Sequence, residues 1–94
     1  MAATRKVEIY GQGYSLRGEA GNEKELEELA AYVDETMRRI AAGTPTVDTL
    51  KISILAAVHL THELFEARRQ MERLEEEINK RADKLGSILA RALE

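Results

Sequence analysis

Residues 46–93, TVDTLKISILAAVHLTHELFEARRQMERLEEEINKRADKLGSILARAL, decide the fold of this chain. The stretch contains no proline and one glycine, Gly86, and its apolar residues recur at spacings of four and three. This pattern predicts one continuous helix of roughly 70 Å at about 1.5 Å per residue. A compact domain of this size has a radius of gyration of only about 12 Å. The far half of the helix therefore needs another subunit to cover its apolar stripe, and we expect an oligomer.

The long helix changes character near Glu66. Over residues 50–65 apolar side chains nearly surround it, which predicts burial on most sides by the rest of the chain and by a partner. Beyond Glu66 the apolar residues narrow to a seam typical of a coiled coil, interrupted by Arg68 and Glu75. The seam residues expected to hold subunits together are Leu64, Met71, Ile78, Leu85 and Leu89. We therefore predict a head over residues 1–65 and a coiled-coil tail over residues 66–94.

The first part of the chain has a strand pattern. Residues 5–10 alternate, with Val7 and Ile9 on one face and charged side chains on the other. Residues 11–13, Gly-Gln-Gly, follow as a predicted turn, and residues 14–17 repeat the alternation with Tyr14 and Leu16 facing inward. These features predict a β-hairpin. Because an isolated hairpin is marginal in water, we expect its edges to pair with a second copy or to pack under a helix.

A first helix follows the hairpin. Asn22 with Glu25 three residues later has the spacing of a capping box, and the apolar stripe that begins at Leu26 continues to Ile40. Gly43 is expected just after the end of this helix. The next helix starts either with Thr44 as the cap and proline at its first position, or with Thr46 as the cap. The predicted fold class is thus α+β: a hairpin-plus-helix head followed by one long C-terminal helix that forms an intermolecular coiled coil.

Composition narrows the classes of function. The chain has 94 residues, 33% of them charged, and a net charge of −3, which argues against nucleic-acid binding. Cysteine is absent, which removes disulfides and thiolate metal sites and fits a reducing cytoplasm. There is no apolar run of about 18 residues, so we expect no membrane span and no signal peptide. These features favour a cytoplasmic, self-associating protein.

Candidate catalytic and metal-binding residues are few. His59 and His62 lie one helical turn apart, a spacing that can place two imidazoles on one metal ion, but no third ligand follows at a fixed spacing. The serines show no spacing relation to either histidine that would suggest a nucleophile. We therefore expect no enzymatic activity, no cofactor and no metal site.

Three arginines are candidates for binding a partner. Arg17 points outward from the second strand, and Arg38 and Arg39 lie in the predicted last turn of the first helix. Together they would form a basic spot on an acidic head, suited to an acidic protein partner. The alternative interpretation is ordinary surface charge and pairing at the helix end.

Several segments resemble the ZapA family of bacterial cell-division proteins, which bind FtsZ. They are VEIYGQGYSLRG at residues 7–18, LAAYVDETM at 29–37, PTVDT at 45–49 and ILAAVHLTHEL at 54–64. The chain departs from the family pattern at Val58-His59 and at Thr61-His62, where the family typically has Leu-Asn and often a small residue followed by Asp or Tyr.

The resemblance implies a dimeric head and a long helix that forms an antiparallel coiled coil between two dimers. Such a homodimer or homotetramer would bind FtsZ, crosslink its protofilaments at the Z-ring in the cytoplasm at mid-cell, and have neither enzymatic activity nor a cofactor. By position, Arg17 corresponds to the charged head surface to which FtsZ binding is attributed. Two other functions stay open: a coiled-coil scaffold or adaptor whose partner is unrelated to FtsZ, and a small metal-dependent regulator built on His59 and His62.

Overall fold

The computed structural model of this protein describes residues 2–45 and 48–93. In chain order the elements are strand β1 (Ala2–Ile9), strand β2 (Gln12–Glu19), helix α1 (Glu23–Gly43) and helix α2 (Thr49–Ala92). A hairpin, one helix and a long C-terminal helix confirm the predicted α+β fold. The chain divides into two compact units, Met1–His59 and Leu60–Glu94.

The hairpin closes through a two-residue turn made by Tyr10 and Gly11. Both residues have positive φ, 50° and 79°, as the turn that suits the right-handed twist of paired strands requires. The turn therefore lies at residues 10 and 11 and not at the predicted residues 11–13, because Gln12 already pairs with Ile9 as the first residue of β2. Glycine has no Cβ to oppose this conformation, whereas Tyr10 adopts it against its ordinary preference.

The antiparallel register decides which side chains face α1. Val7 pairs with Tyr14 and Arg5 with Leu16, so these four residues share one face of the sheet. The prediction that all charges lie on the other face was wrong for Arg5, because its guanidinium reaches Glu27 on α1 and forms an ion pair there. Tyr14 lies on the predicted face, but this residue stays 50% exposed in the single chain.

Helix α1 begins after Asn22, as predicted, but the side chain of Asn22 makes no capping hydrogen bond. Its backbone N–H donates to the Glu19 carbonyl at 3.1 Å, in a turn where Gly21 has φ +94°. The helix also continues further than predicted, through Gly43, and ends at Thr44 in extended conformation. Arg38 and Arg39 therefore lie before the last turn rather than in it.

Asp48 caps the start of α2. Its Oδ1 accepts a hydrogen bond from the Leu50 N–H at 2.9 Å, and its carbonyl accepts from the Ile52 N–H at 3.1 Å. Such a side chain satisfies one of the donors that a helix start leaves without a partner. A helix start at Thr44 was thus the wrong alternative, since Thr44 ends α1. Thr46, the other predicted cap, lies outside the described residues.

The core of the first unit joins the hairpin, α1 and the start of α2. Met37 of α1 and Ile52 and Ala56 of α2 are buried together. The half-buried side chains that pack against them are Ile9, Tyr10, Val33, Ile40 and Ala41. Only one face of α2 is covered in this way. Within one chain, residues 50–65 are therefore not buried on most sides in the way that the sequence predicted. Burial of the other faces by a partner subunit stays a prediction.

The second unit is the remainder of α2, from Leu60 onward. Beyond Leu60, which is half-buried, its large apolar side chains are all exposed: Leu64, Phe65, Met71, Leu74, Ile78, Leu85, Ile88, Leu89 and Leu93. The division into compact units falls at Leu60, whereas the sequence predicted that the head ends at residue 65 and the tail begins at residue 66. That boundary stays a prediction. None of the helices in the described residues has the length and apolar character needed to span a bilayer.

Candidate functional site

Arg17 lies on the outward face of the hairpin. It pairs with Thr4 across the two strands, and both are exposed on the face opposite Val7 and Leu16. Within residues 2–45 and 48–93 its side chain forms no ion pair. An exposed guanidinium of this kind presents several N–H donors in a fixed fork, which suits a carboxylate of a partner.

Arg38 is occupied within the head. Its Nε donates to Asp34 Oδ2 at 3.0 Å, and its guanidinium lies 5.8 Å from the centre of the Tyr10 ring. The Asp34 carboxylate raises the pKa of Arg38. Conversely, the Arg38 hydrogen bond first, and then the Tyr10 N–H, hold the pKa of Asp34 below its ordinary value. Arg38 therefore stabilises the hairpin turn against α1, which agrees with the alternative interpretation of its charge.

Asp34 and Tyr10 were missed as site residues by the sequence analysis. The four-residue spacing of Asp34 and Arg38 on one helix is typical of an ion pair and could have indicated their contact. No comparable sequence signal links Tyr10 to either residue, because they are far apart along the chain.

Arg39 occupies a different setting from Arg17 and Arg38. It lines an open hollow of about 150 Å³ together with Thr36, Ile40 and His59. Thr36 is buried, and its hydroxyl donates to the Tyr32 carbonyl at 2.8 Å. The three predicted arginines thus lie in different local surroundings, and Arg39 is exposed at the edge of this hollow.

The histidines lie in surroundings that do not resemble a metal centre. Across the described part of the chain, no three His, Cys, Asp or Glu side chains come together in a way that could hold a metal ion. His59 and His62 alone would leave zinc without its third protein ligand. The geometry therefore offers no support for the metal-dependent regulator.

An apolar surface covers the exposed side of α2 within the first unit. Leu50 is 69% exposed, Ile54 58% and Val58 64%. Leu50 and Ile54 also line an open hollow of about 320 Å³ with Lys51 and Leu55. Clustered apolar side chains of this size on one helix face are typical of a surface that binds another protein.

The predicted oligomerisation residues all lie on α2, exposed in the single chain. Their exposed fractions are 47% for Leu64, 65% for Met71, 57% for Ile78, 60% for Leu85 and 62% for Leu89. No residue within this unit covers them, because a single helix cannot bury its own stripe. Together with the apolar face of the head, they give the chain two surfaces suited to self-association.

Comparisons with known proteins agree with this architecture. Residues 6–92 match the profile of a family described as "Cell division protein ZapA". A cell division protein ZapA from Bacillus thuringiensis (strain Al Hakam) is 36% identical over 75 residues, which cover 80% of this chain and 83% of the relative. Its counterpart from Geobacillus sp. (strain WCH70) is 31% identical over 77 residues, covering 82% and 87% respectively.

Two solved structures share the fold. A ZapA mutant dimer from Geobacillus stearothermophilus aligns with a TM-score of 0.65 at 28% identity, covering 84% of this chain and 91% of the other. An unknown conserved bacterial protein from Pseudomonas aeruginosa PAO1 aligns with a TM-score of 0.75, covering 94% and 97%. At 23% identity the second likeness concerns the fold alone.

Proposed function

The chain belongs to the family of the cell division protein ZapA, and from that premise we propose that it binds FtsZ through its head and crosslinks FtsZ protofilaments at the Z-ring. It would act as a homodimer or homotetramer in the cytoplasm at mid-cell. The observation that carries this proposal is the long run of exposed apolar residues on α2, which nothing in the same unit covers. A crosslinker needs at least two binding heads, and self-association through α2 supplies them.

The binding half of the proposal rests on the head. Arg17 is the first candidate for the FtsZ contact, because its guanidinium is exposed on the outward face of the hairpin. Arg39 is a second candidate at the rim of its hollow. Arg38 is the weakest of the three, since Asp34 and the Tyr10 ring already hold it. An electrostatic contact of this type is sensitive to salt, because exposed charges are screened beyond a Debye length of about 8 Å at physiological ionic strength.

The crosslinking half rests on the tail. Burial of apolar surface contributes roughly 25 cal/mol per Å², so a stripe that includes Met71, Ile78 and Leu85 gains stability when another helix covers it. A helix that holds heads apart while it joins subunits gives an assembly with several separated binding sites. This function needs no catalytic group, cofactor or metal, and we propose none.

Co-sedimentation with FtsZ tests the proposal. The full chain is mixed with FtsZ polymerised with GTP, pelleted at low and at high centrifugal force, and quantified in each pellet. Binding places the chain in the high-speed pellet, and crosslinking moves FtsZ into the low-speed pellet and raises light scattering.

A chain that ends at Arg69 is the matched control, after circular dichroism shows that it is folded. It should bind FtsZ more weakly and produce no bundles. If the full chain stays in the supernatant at low salt, the proposal is wrong and an adaptor with another partner becomes the better explanation. If the shortened chain bundles filaments as well as the full chain, the role of the tail is wrong.

A further inference from the structure

The outward face of the hairpin carries its charged side chains in a regular order. In the antiparallel register, each residue of β1 on this face lies opposite one residue of β2 and forms a row with it. The four rows, counted from the turn, are Glu8 with Gly13, Lys6 with Ser15, Thr4 with Arg17, and Ala2 with Glu19. Each row contains one charge, and the order along the hairpin is negative, positive, positive, negative.

These charged side chains are available to a partner. All eight residues of the four rows are exposed. Within residues 2–45 and 48–93, none of the four charged side chains forms an ion pair or a hydrogen bond. Two other arginines of the head differ, because Arg5 pairs with Glu27 and Arg38 with Asp34. The outward face thus keeps its charges for contacts outside the chain.

The row of Lys6 and Ser15 adjoins an open hollow. The hollow has a volume of about 290 Å³ and is lined by Lys6, Val7, Gly13, Tyr14 and Ser15. Gly13 carries no side chain, and the space where a Cβ would lie is open. The hydroxyl of Ser15 can donate a hydrogen bond to a carboxylate that Lys6 binds, and Thr4 can do the same beside Arg17. The face therefore has room and donors for acidic side chains.

The spacing of the rows matches that of an extended polypeptide. Successive rows are two residues apart along each strand, which is roughly 6.6 Å at about 3.3 Å per residue. Alternate side chains of any extended segment have the same spacing and point to the same side. An extended segment that lies along the hairpin can therefore place one side chain on each row.

We propose that the outward face of the hairpin binds an extended partner segment with acidic residues at two alternate positions and a basic residue two positions to either side. Lys6 and Arg17 bind the two carboxylates, and Glu8 and Glu19 bind the flanking basic side chains. The inference rests on the proposed contact with FtsZ and specifies what this contact recognises. Arg17 alone suits any carboxylate, whereas the four rows discriminate among acidic segments, because a wrong order places like charges together.

The same charge order disfavours other occupants. It reads the same from either end, so a second hairpin laid fully over this face, in either direction, would place like charges opposite each other in every row. Like charges in direct opposition are destabilising. A nucleic acid or an anionic lipid surface would meet Glu8 and Glu19 together with the two cations. A protein segment of mixed charge is the occupant that satisfies all four rows.

Two peptides of the same composition test the order of the charges. Lys-Thr-Glu-Thr-Glu-Thr-Lys has the proposed order, and Glu-Thr-Lys-Thr-Lys-Thr-Glu has the opposite one. Threonine favours the extended conformation, and blocked termini leave only the side-chain charges. Each peptide is titrated at low salt into the isotope-labelled full-length protein, and the backbone amide signals are followed by NMR.

We expect the first peptide to shift the amide signals of β1 and β2 and to bind several-fold more tightly than the second. Its binding should weaken as added salt screens the exposed charges. Equal binding by the two peptides overturns the proposal. Shifts that are largest outside the hairpin, or no shift with the first peptide at millimolar concentration, also overturn it.

Charge variants of the full chain test the same face against FtsZ, after circular dichroism shows that they are folded. Lys6→Glu should lower co-sedimentation several-fold at low salt, whereas Lys24→Glu on α1, the matched control, should bind as the wild type does. Glu19→Lys separates the proposed order from simple attraction. It makes the face more positive, so simple attraction to an acidic partner predicts tighter binding. The proposed order predicts weaker binding, because the new lysine faces a basic side chain.

The outcomes separate failure of this inference from failure of the proposed function. If the wild type does not co-sediment with FtsZ, the proposed function is wrong, and the peptides still decide what the face binds. If the wild type co-sediments and Lys6→Glu does so equally well, or Glu19→Lys binds more tightly, the inference is wrong while the proposed function stands. A change of assembly mass in Lys6→Glu, measured by light scattering, would show that a second copy occupies the face and would also overturn the inference.

Discussion

The backbone N–H of Tyr10 donates a 2.7 Å hydrogen bond to Oδ1 of Asp34 on α1. Tyr10 is the first residue of the hairpin turn and has φ 50°, a conformation that a tyrosine seldom adopts. The second oxygen of Asp34 accepts from Arg38, whose guanidinium lies over the Tyr10 ring. One carboxylate thus fixes the strained turn, the position of Arg38 and the docking of the hairpin on α1.

This arrangement predicts that Asp34 stabilises the fold in a pH-dependent way. Its pKa in the folded chain lies below the ordinary value of 3.8, so the unfolded chain takes up the proton first as the pH falls. The stabilisation is complete above about pH 5 and is lost as the pH drops through the folded pKa. We expect Asp34→Asn to unfold at a lower urea concentration than the wild type at pH 7, with the difference shrinking as the pH falls below the ordinary value of 3.8. Glu35→Gln, at the exposed neighbouring position, should unfold at nearly the same urea concentration as the wild type at pH 7. Equal pH profiles for wild type and Asp34→Asn would contradict the role of Asp34.

The turn also predicts opposite outcomes for two nearby glycines. Gly11 has φ +79°, so Gly11→Ala introduces a Cβ into a left-handed conformation and should destabilise the fold by about 1–2 kcal/mol. Gly13 lies in β2 without positive φ and with open space around it, so Gly13→Ala should be neutral or slightly stabilising. Urea unfolding of both variants measures the contrast. A similar effect for the two substitutions would mean that the turn does not lie at Tyr10 and Gly11.

The core of the first unit predicts a large effect at Ile52. This side chain is fully buried against Met37 and Ala56, and Ile52→Ala should cost about 2–5 kcal/mol of unfolding free energy. Lys51→Ala, at the exposed adjacent position, should change stability by less than about 0.5 kcal/mol. Chemical denaturation at a fixed protein concentration tests both, since dimerisation makes stability depend on concentration. A loss below about 1 kcal/mol for Ile52→Ala would show that this core is misplaced.

The proposed FtsZ contact predicts a loss of binding for Arg17→Glu. Reversal of this exposed charge should weaken co-sedimentation with FtsZ at low salt, and the difference from wild type should shrink at high salt. Light scattering should report the same assembly mass as for the wild type, because Arg17 lies outside both apolar surfaces. Lys24→Glu on α1 carries the same change of charge and should bind normally. Normal binding by Arg17→Glu at low salt would exclude Arg17 from the contact.

The proposed tail assembly predicts that Leu85→Asp lowers the oligomeric state. A carboxylate without a partner in an apolar interface costs several kcal/mol, so a tetramer should become a dimer while the head stays folded. Ser87→Asp adds the same charge two residues further along the helix, outside the predicted seam, and should leave the mass unchanged. A tetramer that persists with Leu85→Asp would refute the place of Leu85 in the interface.

Much of the fold could be predicted because its signals are local. Alternation around Val7 and Ile9 indicated the first strand, and the stripe from Leu26 to Ile40 indicated α1. The ends of the helices were harder to predict. For example, Asp48 and not Thr44 supplies the cap of α2. Several residues nearby were suitable caps, and only the packed backbone selects among them.

The sequence by itself determined the order of the elements, the length of α2 and the exposure of its apolar stripe. These properties follow from side-chain periods of two residues within the strands and about 3.6 residues within the helices, which short windows of each element display. The tertiary structure alone decided that Tyr10 meets Asp34, that Arg38 is held within the head and that Ile52 lies in the core. Such contacts join residues that are distant along the chain, so their selection depends on how whole elements pack and leaves no periodic trace in the sequence.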